Sequence, residues 1–314
     1  MENNTQLKEM IRSMVIDILQ GQKQEMASSQ PIKQAPRGQV EPGVFDTVDE
    51  AIQAAKAAQA RFEDCTLATR EKVIADIRAA MRPRVQELAQ KTVDETGMGR
   101  VADKVLKLNL TLDKTPGVED LVTECETGDN GMTLYELSAY GVIGAITPST
   151  NPAETLICNS IGMLAAGNAI FFSVHPGAKN LSRELVSELN QVIAKSIGIE
   201  NLIVTLREPS IESAQEMMLH PDVSLLVVTG GPGVVKQALQ SGKKVIGAGA
   251  GNPPAFVDET ADIKKAAQDI VLGASLDNNI LCIAEKSVVA MRQIEPQLVQ
   301  EMVKAGCILL ENQQ

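Results

Sequence analysis

Hydrophobic positions recur at two different periods along this chain, and the change of period divides it. Over residues 1–20, Leu7, Met10, Ile11, Met14, Val15, Ile18 and Leu19 repeat at helical spacing and form one apolar stripe. The next stretch, "GQKQEMASSQPIKQAPRGQVEPG", is rich in Gln, Ser, Pro and Gly and reads as a flexible linker over 21–43. A helix that belongs to a core rarely needs a long polar leash. The tether therefore favours a docking peptide for a partner over a segment folded back on the body. From Asp46 to about Pro116 the pattern is helical. "TVDEAIQAAKAAQARF" opens with Thr47 as N-cap and Glu50 at the fourth position of a capping box. "ATREKVIADIRAAMRPRVQELAQKTVDETG" predicts a longer helix, bent before Pro83 and ending near Gly97. "GMTLYELSAYGVIGAIT" predicts a strand pair, an interface hairpin at about 128–146.

Between Val142 and Gly249 short apolar runs alternate with helical patterns. The strand candidates are "GVIGAIT", "NAIFFSV", "NLIVTL", "SLLVVTGG" and "KKVIGAG". Helical patterns such as "NPAETLICNSIGMLAAG" and "AKNLSRELVSELNQVIAKSIG" lie between them. This βαβ rhythm predicts an α/β fold with a parallel sheet covered by helices. Such sheets bind ligands beyond the carboxyl ends of their strands, so the residues that follow each strand are the candidates for chemistry.

Composition narrows the classes. The 314 residues exceed the size at which single cores stop growing, about 250–300, and suggest two lobes. Aromatic residues make up 2% of the chain and Trp is absent, so small apolar residues fill the core and base-stacking platforms are missing. The net charge of −11 repels phosphate backbones and argues against nucleic acid, while backbone N–H groups can still hold a small anionic cofactor. Five cysteines, an odd number without a C-x-x-C pair, argue against a disulfide framework or a zinc knuckle and read as cytosolic. His175 and His220 are the only histidines, too few for a His-based metal site. No apolar run approaches membrane-spanning length and no secretory signal is visible.

The strand-end turns carry the candidates. "TPSTNP" places Asn151 beside a helix start, as an amide donor to a developing oxyanion or as an ordinary N-cap. "SVHPGAK" exposes backbone at Pro176 and Gly177, fit to cradle a ribose or a phosphate. "VVTGGPGVV" supplies Gly230, Gly231 and Gly233 at a helix N-terminus, as a phosphate site or simply a tight turn. The run Gly247–Gly251 has no ionisable side chain, so nothing in it acts as a base. In "SLDNNILCIAEKS", Cys282 is either a nucleophile or one more small buried hydrophobe.

In this order and spacing the stretches resemble the aldehyde dehydrogenase superfamily from about Val44 onward. "TPSTNPAET", "MLAAGNAIFFSVHPGAK", "VVTGGPGVV", "KKVIGAGAGNPPAFVDETAD" and "GASLDNNILCIAEKS" look like the CoA-acylating propionaldehyde and acetaldehyde dehydrogenases of bacterial microcompartments. The resemblance implies a Rossmann-type NAD-binding domain over 44–252 and the start of a catalytic domain over 253–314. It implies that Cys282 attacks a short aldehyde, that hydride passes to NAD, and that the acyl group passes from a Cys282 thioester to coenzyme A. Asn151, or the adjacent Thr150, takes the oxyanion position. Thr147, Pro148, Ser149, Thr150, His175, Pro176, Gly177, Thr229, Gly230, Gly231 and Gly249 take cofactor-contacting positions. Hydrolytic relatives carry a glutamate in the segment matching "GAGAGNPP", where this chain has Gly and Ala near Gly247. A glutamate placed at Gly247 is therefore expected to raise thioester hydrolysis. The N-terminal helix looks like a targeting peptide for a microcompartment shell protein, within a cytoplasmic compartment, and the family is homo-oligomeric. Family members continue beyond Gln314, so the expectation is an incomplete catalytic domain with weak activity. The alternative is a non-catalytic cargo module.

Overall fold

The computed structural model describes residues 41–310. The expected targeting helix over 1–20 and most of the expected linker lie outside the described residues. The linker was expected to reach residue 43, but the body begins at Glu41. The Glu41 carboxylate accepts from Arg183 at 2.9 Å and Arg207 at 3.1 Å, which ties the chain down before its first strand.

Strand β1 (Val44–Phe45) leads into four helices, α1 (Val48–Glu63), α2 (Leu67–Met81), α3 (Val85–Thr96) and α4 (Val101–Lys114). Thr47 caps α1 by accepting from the Glu50 N–H at 3.4 Å, and its hydroxyl donates to the Glu50 carboxylate at 2.8 Å. The stripe Val48, Ala51, Ile52, Ala55 and Phe62 is buried. A 3-10 turn at Arg82–Arg84 separates α2 from α3, because Pro83 lacks the N–H that a continuous helix needs. Gly97, at φ +67°, ends α3 in the left-handed conformation.

The predicted hairpin is displaced. It pairs β2 (Glu124–Gly128) with β3 (Gly131–Tyr135), antiparallel, and does not reach 146. Val142–Ile146 is β4, fully buried inside the main sheet as its strand pattern "GVIGAIT" predicts, and takes no part in the hairpin. The rest alternates: α5 (Pro152–Ala165), β5 (Ala169–Ser173), α6 (Lys179–Ile197), β6 (Ile203–Leu206), α7 (Ile211–Leu219), β7 (Val223–Thr229), α8 (Pro232–Leu239) and β8 (Lys244–Ala248). The six-stranded sheet runs β1-β6-β5-β4-β7-β8 with every neighbouring pair parallel. After edge strand β1 and the helices that follow it, the chain enters the sheet at central β4, steps outward through β5 to β6 beside β1, then returns to the other side of β4 as β7 and β8. The reversal falls between β4 and β7, where a parallel sheet opens a crevice at its carboxyl edge. Beyond it, β9 (Pro254–Val257) pairs in parallel with β10 (Ser287–Ala290), packed with α9 (Ile263–Ser275) and α10 (Glu295–Lys304). Val257, Ala267, Ile270 and Leu298 form this second, small apolar cluster. No helix among the described residues is long and apolar enough to cross a membrane.

Candidate active site

A cavity of about 490 Å³ opens at the carboxyl ends of β4, β5, β7 and β8, at the reversal of strand order. Of the thirteen candidate residues it takes in twelve: Thr147 to Asn151, His175, Pro176, Thr229, Gly230, Gly231, Gly249 and Cys282. Gly177 does not line it. Its N–H is turned back onto Nδ1 of His175 at 3.1 Å, so the "HPG" turn closes on itself. The Thr147 hydroxyl is buried with no partner among the described residues, a group that a ligand would satisfy. Gly231 heads α8, with Pro232 in the first turn, and nothing lies within 4 Å of the place a Cβ would take at Gly231 or Gly249. Exposed backbone at a helix N-terminus, a crevice at the strand reversal and an unpartnered hydroxyl fit a dinucleotide.

Cys282 is exposed on the wall of this cavity, so it is not a core residue. Its position is set by the turn before it. Asp277, Asn278 and Asn279 take φ values of +50°, +55° and +60°, a left-handed run that Asp and Asn tolerate better than other side chains. Asn279 then grips both ends of the loop, its Nδ2 donating to Ala274 O at 2.6 Å and Glu285 O at 3.1 Å. The Lys286 ammonium also closes the loop, donating to Asn279 O and Leu281 O, each at 3.0 Å. On the far side the backbone of Gly251 passes so near that a Cβ there would stand 2.0 Å from the Cys282 carbonyl oxygen.

Asn151 heads α5, yet its side chain caps nothing. Its Oδ1 accepts from the Lys107 ammonium, and its Nδ2 donates to the Thr150 hydroxyl at 3.2 Å. An ammonium only donates, so this bond fixes which end of the amide is oxygen. Lys107 also binds Asp277 and lies 3.3 Å from a Glu154 carboxylate oxygen. Lys104 is fully buried, bonds to Thr150 O and sits 3.0 Å from Asp277. Asp277 is fully buried as well and accepts from the Arg100 N–H at 2.9 Å, while its own N–H donates to Asp103 at 2.9 Å. Burial opposes the charge on Lys107, but Glu154 and the bond to Asp277 outweigh it and raise the ammonium above its ordinary pKa. Burial pushes Lys104 below its ordinary value, against the pull of Glu154. For Asp277 burial works upward, and the donors Lys107, Arg100 N–H and Lys104 overcome it, so the carboxyl lies below its ordinary value.

Residues 18–307 match the model of the aldehyde dehydrogenase family. The chain belongs to that family. It is 49% identical over 308 residues to a CoA-propanoylating propanal dehydrogenase of Salmonella typhimurium, covering 98% of this chain and 64% of the relative. It is 46% identical over 275 residues to an acetylating acetaldehyde dehydrogenase of Escherichia coli, covering 87% of this chain and 58% of the relative. Among solved structures, a propionaldehyde dehydrogenase from the fucose utilisation bacterial microcompartment of Clostridium phytofermentans superposes with a TM-score of 0.83. The two are 50% identical over 87% of this chain and 63% of that one. A propionaldehyde dehydrogenase of Rhodopseudomonas palustris, solved with bound CoA and an acylated cysteine, matches with the same score, identity and shares. The chain thus spans less than two thirds of the length of these relatives.

Among the described residues no Asp or Glu lines the cavity. The expectation for Gly247 needs correction. A Cβ there would meet Val235 at 3.2 Å, so it faces α8, and Gly247 is not part of the lining. Gly249 is part of it and is open. Residues of the site that the strand-end rule missed are Ser210, the cap of α7, and Ile211 and Ala214 of that helix, while Gly251, Asn279 and Lys286 line it from stretches singled out without naming them as site residues. The buried Lys104 and Lys107 were missed too. Their signal was present, since both fall on the inward stripe of α4 shared with Leu108 and Leu112.

Proposed function

We propose that the chain is the cysteine-bearing part of a CoA-acylating aldehyde dehydrogenase for short aldehydes such as propanal or acetaldehyde. The observation that carries this reading is a cavity with an exposed cysteine, an amide oriented by a buried ammonium and, among the described residues, no carboxylate in its wall. The Cys282 sulfur attacks the aldehyde carbon and forms a C–S bond, and the carbonyl oxygen becomes an oxyanion opposite the Asn151 amide. Lys107 occupies Oδ1 of that amide and so leaves Nδ2 to donate. NAD, held at the strand ends, supplies the hydride acceptor. Once the hydride has gone, the acyl group is a thioester on Cys282. No side-chain carboxylate in the wall is placed to deprotonate water, whereas a thiol needs less activation near neutral pH. The coenzyme A thiol therefore takes the acyl group and Cys282 leaves as thiolate. The sum is aldehyde, NAD⁺ and CoA giving acyl-CoA, NADH and a proton.

The test is NADH and propanoyl-CoA formation from propanal, NAD and CoA. Both should be lost in Cys282→Ser, and Asn151→Ala should lower the rate about 10²–10³-fold. Equal product from Cys282→Ser would overturn the reading.

The amphipathic segment 1–20 supports docking to a microcompartment shell protein, as does the microcompartment source of a relative at 50% identity. Fused to a fluorescent protein, residues 1–20 should co-purify with assembled shells. Failure to do so, with the chain lacking residues 1–39 still co-purifying, would remove this assignment.

A further inference from the structure

Two buried lysines, Lys104 and Lys107, stand behind the candidate active site; neither lines the cavity, but each bonds to a residue that does. Lys107 is the one whose side chain joins its own helix α4 to both α5 and the turn before Cys282. It donates to Asn151 Oδ1 at the head of α5, to Asp277 in the turn before Cys282, and lies 3.3 Å from Glu154. A side-chain amide pivots easily about its last bond, and a half-turn would present oxygen where a donor is needed. Asn151 has no capping bond to stop that pivot. The Thr150 hydroxyl does not stop it, because a hydroxyl accepts from Nδ2 or donates to Oδ1 equally well. The ammonium stops it, because it has protons and no lone pair to offer.

We propose that Lys107 is a positioning residue for the reaction at Cys282, locking the Asn151 amide with its N–H side toward the oxyanion. This rests on the reading of Cys282 as the acyl carrier. The same ammonium shares Asp277 with Lys104 and the Arg100 N–H, so it ties the donor and the nucleophile's turn to one helix, α4. The division of labour is specific. Without Lys107, Asp277 keeps Lys104 and the Arg100 N–H, whereas Asn151 Oδ1 loses its protein donor.

The test needs no cofactor. With p-nitrophenyl propanoate, the Cys282 sulfur forms a bond to the acyl carbon and the ester C–O bond breaks. p-Nitrophenolate leaves with the electron pair, and the thiol proton passes to solvent. The burst of nitrophenolate reads acyl transfer, which passes through an oxyanion. Alkylation of Cys282 by iodoacetamide is a displacement with no oxyanion and reads only the thiol and its access. Lys107→Met should slow the burst about 10- to 100-fold, the scale of a misplaced catalytic group, and change alkylation of Cys282 less than about threefold. In an Asn151→Ala background the same substitution should change the burst less than about twofold, since the amide it positions is gone. If Lys107→Met does not fold, Lys107→Gln, one bond too short to span Asp277 and Asn151, enters the same cycle with the same expectations. Additive losses in the cycle, or parallel loss of alkylation and acyl transfer, would overturn the proposal while leaving Cys282 as acyl carrier. A wild-type protein that takes no propanoyl group on Cys282 would overturn both.

Discussion

Gly251 and Cys282 meet backbone to backbone, and the contact leaves no room for a methyl group. A Cβ at Gly251 would sit 2.0 Å from the Cys282 carbonyl oxygen, and the obstacle is main chain rather than a side chain that can swing away. Gly251→Ala is therefore expected to cost about 1–3 kcal/mol, as overpacking does, and to shift the Cys282 loop. Urea unfolding should show the loss, and iodoacetamide labelling should show a changed rate at Cys282. Wild-type values in both would mean that the loop adapts freely. At this scale the site was partly legible. Ligands gather beyond strand ends, so Thr147–Asn151, His175 and Thr229–Gly231 could be picked from the chain. Whether Asn151 caps a helix or faces a reactant was not legible, because its deciding partner, Lys107, lies 44 residues away. Gly251 was read as bare backbone, since nothing local says which chain it passes.

The turn Leu276–Asn279 and helix α4 form one unit built around a buried carboxylate. Asp277 is fully buried and serves two lysines and one backbone N–H, so removing it strands the cations without their partner. Asp277→Ala should cost about 3–5 kcal/mol, the scale of breaking a buried ion pair. Linkage gives a second expectation. The Asp277 pKa is lowered by folding, so the unfolded chain binds more protons as pH falls. Its contribution is complete above the unfolded carboxyl value, about 3.9, and is lost as pH falls through the depressed folded value. Thermal unfolding followed from neutral to acid pH should show a steeper acid loss in wild type than in Asp277→Asn; parallel curves would count against the assignment. Among elements, the sheet strands and the break at Pro83 could be read from local rules. The hairpin was placed too far along because the apolar run at Val142–Ile146, which also reads as a strand of the parallel sheet, was counted into it. That run is apolar at every position because both faces of β4 are covered. The turn itself, Asp129–Asn130 between Gly128 and Gly131, has the composition that tight hairpins favour.

Across the molecule, the sheet reversal makes the cavity and the second lobe brings Cys282 to its wall. What is absent from that wall sets the chemistry: no carboxylate among the described residues lines it. A Glu at Gly249, inside the lining and unobstructed, should speed hydrolysis of a Cys282 thioester. A Glu at Gly247, which faces Val235, should not. Acid release from propanoylated protein in the absence of CoA checks the pair, and the reverse order would contradict the geometry. The α/β rhythm was legible at this scale because parallel strands buried on both faces leave apolar runs between helices. The gathering of residues 107, 151 and 277 was not, because it depends on how α4 packs under two separate turns. Cys282 alone among the exposed cysteines is expected to carry an acyl group. Brief exposure of the native protein to p-nitrophenyl propanoate, acid quench and peptide mass mapping tests it directly. Propanoyl is expected on the Cys282 peptide with the exposed Cys125 and Cys158 unmodified; acyl groups spread evenly over the exposed cysteines, or missing from Cys282, would overturn the assignment.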